Sequence, residues 1–438
     1  MRKQSILLFL QIEINWVSAE KFIADRISGS NKDKGSISKP IVKIGIVGIA
    51  LGVAVMLLTV SIVLGFKQEI VTRITGLTTQ IAIGSIDLNP GNEPLPIRMS
   101  KDSLDELRKL PFVRHIEATA FKNGLLKTDT ENEGILLKGV DTDFNFDFLK
   151  AHLETGRLPD FSGAEASKEI LMSRVLCEKL NLKLNDKILI HFLSQHEVFD
   201  STLRAPVLKT EHKSRRFKIC GIFKTDFVDF DEKLSVIDLR QIRQINFWDS
   251  VSVGNYEVAL KDFNEVDANL ESLREILGYR YSVNSVKEIY ANLFIWLDKL
   301  DMNGIVIIVL LILVATINMI TALLILILER TTMIGLVKSL GMSNLSVRRI
   351  FMHISLKLIS RGLLWGNIVG IGLCWLQKEF KLAKLDSSTY YVEYVAIEMN
   401  WTYFLALNVG TFVVCWLMLL LPTMIVTRLT PIKTLKFD

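Results

Sequence analysis

The stretch IGIVGIALGVAVMLLTVSIVLGF, residues 44–66, settles the class of this protein, because it contains no Asp, Glu, Lys, Arg or His. About 20 residues that each rise ~1.5 Å along a helix cover the ~30 Å hydrocarbon core of a bilayer. Residues 305–328 and 404–426 also lack charged residues and His. Apolar length alone therefore predicts three membrane-spanning helices.

A fourth span is predicted on weaker grounds. Residues 363–376 are apolar but short, and the stretch is long enough only if the helix begins near Ile350 and includes Lys357 and Arg361. Such cations near a helix end extend their charged groups to the lipid headgroups. The sequence favours a true span with a basic end, and the alternative is a helix buried in a soluble core.

The orientation follows from the basic residues beside the spans. Residues 1–43 hold eight Lys/Arg against four acids, and residues 329–361 hold six against one. Residues 377–400 hold three Lys against four acids. Because cytoplasmic flanks are enriched in Lys and Arg, both termini are predicted to be cytoplasmic. Residues 67–301 then lie outside, which in a double-membraned bacterium would be the periplasm, and the net charge of +5 gives no reason to invoke nucleic acid.

The expected fold is a membrane protein with four transmembrane helices and a large mixed α/β periplasmic domain inserted between the first and second helices. The predicted segments are a cytoplasmic N-terminal segment (1–43), the spans (44–66, 302–328, 350–376 and 401–426), the periplasmic domain (67–301), a cytoplasmic segment (329–349), a short periplasmic loop (377–400) and a cytoplasmic tail (427–438). Residues 15–27 place Trp16, Ala19 and Ile23 near one helical face, which predicts an amphipathic surface helix, with a disordered tail as the alternative.

Residue patterns predict the elements of the external domain. Residues 102–110, 169–182 and 264–277 have helical spacing, and residues 286–301 read as an amphipathic helix that runs into the second span. Alternation and β-branched content predict strands, in part at residues 79–88 and then at 134–140, 186–192 and 216–223. Residues 193–215 are predicted to form a long polar loop, and a loop of this length is either functional or mobile.

The sequence offers no constellation typical of an enzyme. No Cys or His pair has metal-ligand spacing, and no nucleophile stands beside a base. Cys177 and Cys220 are the only cysteines of the external region, and the sequence leaves open whether they are bridged or free. There is also no G-x-x-x-x-G-K-[ST] phosphate loop in the sequence.

Two segments indicate helix packing and docking. Gly48 and Gly52 have the small-xxx-small spacing that lets helices approach in lipid, and their partner lies in this chain or in another. The segment ERTTMIGLVKSLGMSNLSVRR, residues 329–349, carries a short apolar face. Gly341 is a plausible C-cap, and Ser343 or Asn344 begins the next helix. A short helix between two spans is expected to be a docking element, although a surface turn is the alternative.

Short motifs in a common order resemble the FtsX-like permease superfamily of ABC transporters, and in particular its lipoprotein-releasing branch. They are Phe22-Ile23-Ala24, residues 48–54, Leu64-Gly65-Phe66, Gly156-Arg157, residues 180–186, residues 219–225, Asn292-Leu293-Phe294, Asn318, Glu329-Arg330, Ile334-Gly335, Leu340-Gly341 and Pro431. The resemblance covers nearly the whole chain from about Phe22 to Lys436.

The resemblance implies a dimer of permease chains, identical or different, and a dimeric ATPase that holds ATP and Mg²⁺ and docks on the cytoplasmic side. This chain would itself bind no cofactor. The implied coupling residues are Glu329, Arg330, Met333, Ile334, Gly335, Val337, Lys338, Leu340 and Gly341. Met333, Ile334, Val337 and Leu340 would insert into the ATPase, and Asn318 joins the two glycines as a helix-packing residue.

The resemblance also implies a lipoprotein cargo, extracted through a cavity between the first two spans and passed to a periplasmic carrier. Candidates at the cavity mouth are Leu64, Phe66, Phe294, Trp296 and Leu297, and candidates for carrier binding are Leu203, Arg204, Ala205, Pro206 and Val207. An efflux or mechanotransmission permease, or a division-type signalling permease without transport, are the alternatives.

Overall fold

A computed structural model describes residues 21–24, 38–86, 93, 95–128, 131–200, 205–420 and 422. It divides into a helical unit (Met1–Lys67, Leu297–Ala383 and Val395–Asp438) and an external unit (Gln68–Trp296 and Lys384–Tyr394). Of the predicted amphipathic helix at 15–27, only residues 21–24 are described, and they are helical. The rest of that prediction and the tail at 427–438 lie outside the described residues.

Four described helices are long and apolar enough to cross a membrane, as predicted. They are α1 (Ser38–Leu77), α9 (Ala291–Glu329), α11 (Asn344–Phe380) and α13 (Trp401–Met418). Helices α1 and α9 are 40 and 39 residues long, so each extends well beyond the span that apolar length predicts. Two short helices, α10 (Thr331–Ser339) and α12 (Ser387–Tyr390), lie in the connections between spans.

Helix α1 packs against α9 through its glycines. A Cβ placed on Gly45 would lie 3.0 Å from Cβ of Ala322, and one on Gly48 would lie 3.0 Å from Nδ2 of Asn318. Small residues allow this approach, and close packing drives helix association in lipid. The helix that faces Gly48 therefore belongs to the same chain.

Helix α1 also packs against α11, and at this contact the glycines belong to α11. A Cβ on Gly362 would lie 2.6 Å from Ile49 Cγ2, and one on Gly366 would lie 2.8 Å from the carbonyl oxygen of Ala50. Gly370 continues the row. The regular spacing of 362, 366 and 370 is visible in the sequence, although we did not predict this contact from it.

Ten strands form the framework of the external unit, as far as its described residues show. They are β1 (Ile81–Gly84), β2 (Val113–Lys127), β3 (Asn132–Val140), β4 (Leu153–Gly156), β5 (Glu169–Ser173), β6 (Lys187–Asp200), β7 (Ala205–Phe223), β8 (Leu234–Asp238), β9 (Asn255–Leu260) and β10 (Ser282–Ser285). They form one mixed sheet in the order β10-β1-β9-β2-β3-β8-β5-β7-β4, with β6 paired to β2 and β7. The pairs β3/β8 and β5/β7 are parallel, and the other pairs are antiparallel.

Helices cover the sheet. They are α2 (Lys101–Arg108), α3 (Asp147–Ala151), α4 (Arg174–Lys179), α5 (Val228–Asp231), α6 (Leu239–Ile245), α7 (Val266–Leu277) and α8 (Val286–Ile289). The two faces of the sheet differ because side chains alternate along each strand. One face, with Ile81, Ile135 and Val258, lies in the main apolar core. The second face carries Glu117, Thr119, Phe121, Leu136, Lys138 and Glu257, which alternate with core residues.

Several predicted elements are confirmed. Helix α2 falls within one or two residues of the predicted 102–110, and Ser100 caps it by accepting a hydrogen bond from the Ser103 amide. Strand β3 contains the predicted 134–140, and α7 ends at Leu277 as expected.

The prediction of a helix over 169–182 is wrong at its start. Residues 169–173 form strand β5, and Ser173 then caps α4 by accepting a hydrogen bond from the Leu176 amide at 3.1 Å. Ile170, Leu171 and Met172 are fully buried, since β5 lies between β7 and β8. A short strand that is buried on both faces lacks alternation, so its apolar run looks like part of a helix.

The prediction of a long loop over 193–215 is also wrong. Strands β6 and β7 pair continuously from Lys187↔Lys218 to Asp200↔Ala205 and form a long two-stranded arm. Leu193 is 65% exposed, so hydrophobic alternation is weak in this arm and the strands look like a polar loop.

The predicted helix 286–301 is interrupted once. Helix α8 ends at Ile289, Tyr290 has φ −106° and ψ 40°, and α9 starts at Ala291. From Ala291 onward the helix runs into the second span as predicted.

The cysteine alternatives are resolved, because all four cysteines are free and buried. Burial raises the pKa of Cys177 and that of Cys220 to about 12, so neither thiol ionises at neutral pH.

Candidate functional site

The segment between the second and third spans, residues 329–349, forms a short helix followed by a turn and the start of the next helix. Helix α9 ends at Glu329, and Arg330 leaves helical geometry (φ −101°, ψ 17°) before α10 begins. Gly341 has φ +93° and donates to the carbonyl of Lys338, while the Met342 amide donates to that of Val337. This is the Schellman arrangement, in which a left-handed glycine ends a helix. The predicted C-cap at Gly341 is confirmed.

The next helix begins at once. The Ser343 hydroxyl accepts a hydrogen bond from the Ser346 amide at 3.2 Å and caps α11. Of the two predicted caps, Ser343 and Asn344, the structure selects Ser343. The C-terminus of α10 is therefore closed by the Schellman turn at Gly341, and α11 begins three residues later at Asn344 behind its own N-cap, Ser343.

The predicted apolar face of α10 is divided between interior and surface, which corrects the expectation that it inserts as one face. Ile334 is 1% exposed and belongs to the core of the helical unit with Val347 and Ile350, and Gly335 is also buried. Leu340 is 78% exposed, and Leu336, which was not predicted, is 54% exposed. A helical period of 3.6 residues puts Leu336 and Leu340 on one side of the helix.

The remaining predicted coupling residues surround that surface. Glu329 and Gly341 are exposed, and Arg330, Met333, Val337 and Lys338 are half-buried. Burial lowers the pKa of Lys338. Leu336 of α10 and Leu340, the residue after its last one, are the large apolar side chains exposed in residues 331–341, and we name them the leucine pair.

In the external unit, the last turn of α1 is attached to the sheet by a buried ion pair. Lys138 is fully buried, and its Nζ donates to the carbonyl of Leu77 and to Glu257 Oε2 at 2.8 Å. Glu257 also accepts from the Thr119 hydroxyl at 2.9 Å. The ammonium group satisfies a carbonyl at the negative end of the helix. The pair was not predicted from the sequence, because charged residues on a strand normally indicate an exposed face.

A second attachment lies one turn earlier on α1. Arg73 is 4% exposed, donates to the carbonyl of Thr225, and lies 3.4 Å from Asp226. Burial raises the pKa of the Asp226 carboxyl, but the nearby Lys224 and Arg73 outweigh it, and the net pKa is lowered. A Cβ on Gly76 would lie 2.2 Å from the Phe148 ring. Residues 73–77 of α1 are therefore closely fitted to the external unit.

Three of the five predicted cavity residues are buried. Phe66 and Leu297 of the helical unit are 6% and 1% exposed, and Phe294 of the external unit is 7% exposed and stacks on Phe263 at 6.1 Å. These three offer little free surface to a cargo. Leu64 and Trp296 are half-buried, and Trp296 lines a cleft of the external unit.

The predicted carrier-binding residues lie at the end of the two-stranded arm. Ala205, Pro206 and Val207 open strand β7, where Pro206 stands opposite Phe199. Leu203 and Arg204 lie outside the described residues.

Comparison with known families identifies the class. Residues 44–276 match the family described as "MacB-like periplasmic core domain", and residues 305–431 match the family described as "FtsX-like permease C-terminal". The chain belongs to the FtsX-like permeases. The second match contains α10, and the first contains most of the sheet.

Relatives of this FtsX-like permease extend over nearly its whole length. A "Lipoprotein-releasing system transmembrane protein LolC" from Xylella fastidiosa is 22% identical and covers 90% of this chain and 93% of its own. A "Lipoprotein-releasing system transmembrane protein LolE" from Haemophilus influenzae is 23% identical and covers 92% and 96%. The crystal structure of the periplasmic region of MacB from Actinobacillus actinomycetemcomitans matches with 14% identity and a TM-score of 0.33, covering 51% of this chain and 95% of that one.

Proposed function

We propose that this FtsX-like permease is a subunit of an ABC transporter that releases lipid-modified proteins from the outer leaflet of the inner membrane. ATP and Mg²⁺ are bound by a separate dimeric ATPase, and a second permease chain, identical or different, completes the transporter. Both termini are cytoplasmic in this proposal. The observation that carries the ATPase contact is the exposed leucine pair at a short helix between two spans, which ends in a Schellman turn. The cargo class is supported by the names of full-length relatives.

Release of such a cargo requires an energy source. Each methylene group of an acyl chain contributes about 0.8 kcal/mol to membrane anchoring, so two or three chains do not leave the bilayer spontaneously. Closure of an ATPase dimer supplies the work, and α10 receives it. Apolar side chains that insert into a groove of a partner are the usual way in which a short helix docks.

The attachment of α1 to the external unit supports transmission of this movement. Helix α1 runs without a break from Ser38 to Leu77, and its last turns are held by Arg73 and Lys138. The two-stranded arm is our candidate for recruiting a soluble carrier, with residues 203–207 at its end. An efflux or mechanotransmission permease is the second candidate, and the match of residues 44–276 to the MacB-like domain favours it over division-type signalling.

Replacing Leu340 by Glu tests the ATPase contact. We expect at least a tenfold loss of the ATPase that co-purifies with the full-length chain, because a charge at the centre of an apolar contact is left without a partner. The measurement is the ratio of ATPase to permease after mild detergent extraction. Leu340 is 78% exposed, so this change spares the fold, whereas changes at Ile334 or Gly335 would disturb buried packing.

Ile276→Glu is the matched control. Ile276 is 53% exposed on α7 of the external unit, so it accepts a charge equally well in the folded chain. Its ATPase ratio is expected to equal that of the unmodified protein. Normal ATPase recovery with Leu340→Glu and with Leu336→Glu would refute the docking role of the leucine pair.

A further inference from the structure

The second face of the sheet forms the floor of an apolar cavity in the external unit. Leu136 of β3 lies directly opposite Leu234 of β8, and Phe121 of β2 is on the same face. Phe230 and Tyr290 form the walls of this lobe, which has a volume of about 320 Å³. Its lining is mainly apolar, although the neighbouring part of this face carries the Lys138–Glu257 pair.

A second lobe adjoins the first at Tyr290. It has a volume of about 610 Å³ and is lined by Trp296 together with Tyr390 and Tyr391. Asp229, Ile289 and Tyr290 line both lobes, so the two form one cleft. The walls are ordered by ring contacts, since Tyr391 stacks on Phe227 at 5.3 Å. Each volume lies within or close to the range of about 300–1,000 Å³ that is typical of small-molecule sites.

The charge of the cleft restricts the ligand. Among the described residues that line the two lobes there is no Lys, Arg or His, and of the two lining carboxylates Glu257 is paired with Lys138, which leaves Asp229 to set the charge. A phosphate or a free carboxylate in this cleft would therefore find no cation among the lining residues and would lie near the Asp229 carboxylate. The cleft suits a hydrocarbon chain whose attached head group is neutral or cationic.

The cleft begins at the helix that leads to the second span. Trp296 stands nine residues before Ile305 in the unbroken helix α9, a rise of about 14 Å. Trp and Tyr side chains are typical of the membrane interface. Trp296, which lines the cleft, therefore belongs to the same continuous helix as the apolar stretch of the second span.

We propose that this two-lobed cleft binds an acyl chain of a lipid-modified polypeptide after the chain leaves the bilayer. The proposal rests on the function proposed above and adds a site for the cargo. One acyl chain occupies the apolar lobe over Phe121 and Leu136, and the linking glyceryl and peptide groups lie in the larger lobe beside Asp229. The cleft shields methylene groups that would otherwise contact water.

Photo-crosslinking tests the cleft in the full-length chain, held in lipid nanodiscs so that detergent does not fill the site. The probe is a synthetic diacylglyceryl-cysteine lipopeptide with a diazirine in the middle of one acyl chain. After irradiation and digestion, we expect adducts on peptides that contain Leu136 or residues 286–296. A diazirine fatty acid and a diazirine phosphatidylglycerol are expected to label these peptides several-fold less, because both are anionic.

Two substitutions that fill the apolar lobe should reduce labelling. Leu136→Trp and Ala82→Phe each occupy space for at least about two methylene groups, which corresponds to a loss of cleft adducts of about tenfold or more. Leu125→Trp is the matched control, because Leu125 lies on β2, is 47% exposed and does not line either lobe. Labelling in this control is expected to be unchanged.

Three outcomes would overturn the proposal. The first is no adducts on the cleft peptides, and the second is labelling of both lobe-filling variants at the level of the unmodified protein. The third is labelling by the two anionic probes at the level of the lipopeptide probe. The last would make the cleft a general lipid site. Co-purification of the ATPase from the same preparations tests the proposed function separately. Failed labelling with intact ATPase binding and cargo release rejects the cleft alone.

Discussion

Replacing Lys138 by Met is expected to reduce the free energy of unfolding of the external unit by about 3–5 kcal/mol. The substitution keeps the apolar length of the side chain but removes the ammonium group. Glu257, which is only 3% exposed, then has a buried carboxylate without its cation, and the Leu77 carbonyl loses its donor. A buried charge that loses its partner is far more costly than the intact pair is favourable.

Hydrogen–deuterium exchange of the full-length chain measures this effect within the external unit. Protection of amides in β3 and β9 is expected to fall about a hundredfold or more, since about 1.4 kcal/mol corresponds to a factor of ten. Lys287→Met is the control, because the Lys287–Asp267 pair is partly exposed and its loss should be below about 1 kcal/mol.

A double variant separates the ion pair from the packing of the lysine stem. In Lys138→Met with Glu257→Gln, the buried charge is gone and the amide oxygen still accepts the hydrogen bond from Thr119. Much of the lost protection should return. If the double variant is no more stable than Lys138→Met alone, the destabilisation does not come from an unpaired carboxylate.

Replacing Gly366 by Leu is expected to destabilise the helical unit by about 3 kcal/mol. Its new Cβ would lie 2.7 Å from Val53 Cβ and 2.8 Å from the carbonyl oxygen of Ala50, and the backbone of α1 cannot move aside locally. The two helices must separate, which removes the close packing that holds them together in lipid.

The same helix supplies the control. A Cβ placed on Gly372 would have nothing within 4 Å of it, so Gly372→Leu adds a side chain to open space. The measurement is the temperature at which the nanodisc-held protein loses its single gel-filtration peak. A lower temperature is expected for Gly366→Leu and little change for Gly372→Leu. Equal behaviour of the two variants would contradict the packing of α11 on α1.

Membrane segments and the turn at Gly341 were predictable, because each depends on a local rule. Residues 44–66 lack charge, and a left-handed C-cap favours glycine whatever surrounds it. Strand β5 was not predictable in this way, because its partners β7 and β8 come from later in the chain. The two-stranded arm was missed for a different reason, since its alternation is masked by polar residues on both faces.

At the candidate docking surface, the sequence pattern predicted the helix but not which of its residues are exposed. The spacing of Met333, Ile334, Val337 and Leu340 correctly indicated a helix, but it did not tell which side faces the rest of the chain. Ile334 packs with Val347 and Ile350 of the following helix, which turns Leu336 and Leu340 outward. The cleft around Tyr290 was likewise invisible, because its lining comes from strands, helix ends and the connection between the last two spans.

The contacts of α1 with α11 also imply different rules for sequence variation at neighbouring glycines. At Gly362 the nearest atoms all belong to the Ile49 side chain, so a larger residue at 362 is compatible with a smaller one at 49. At Gly366 one obstacle is the backbone carbonyl of Ala50, which no side-chain change removes. Across the family, positions 362 and 49 should vary together in size, while position 366 should remain glycine.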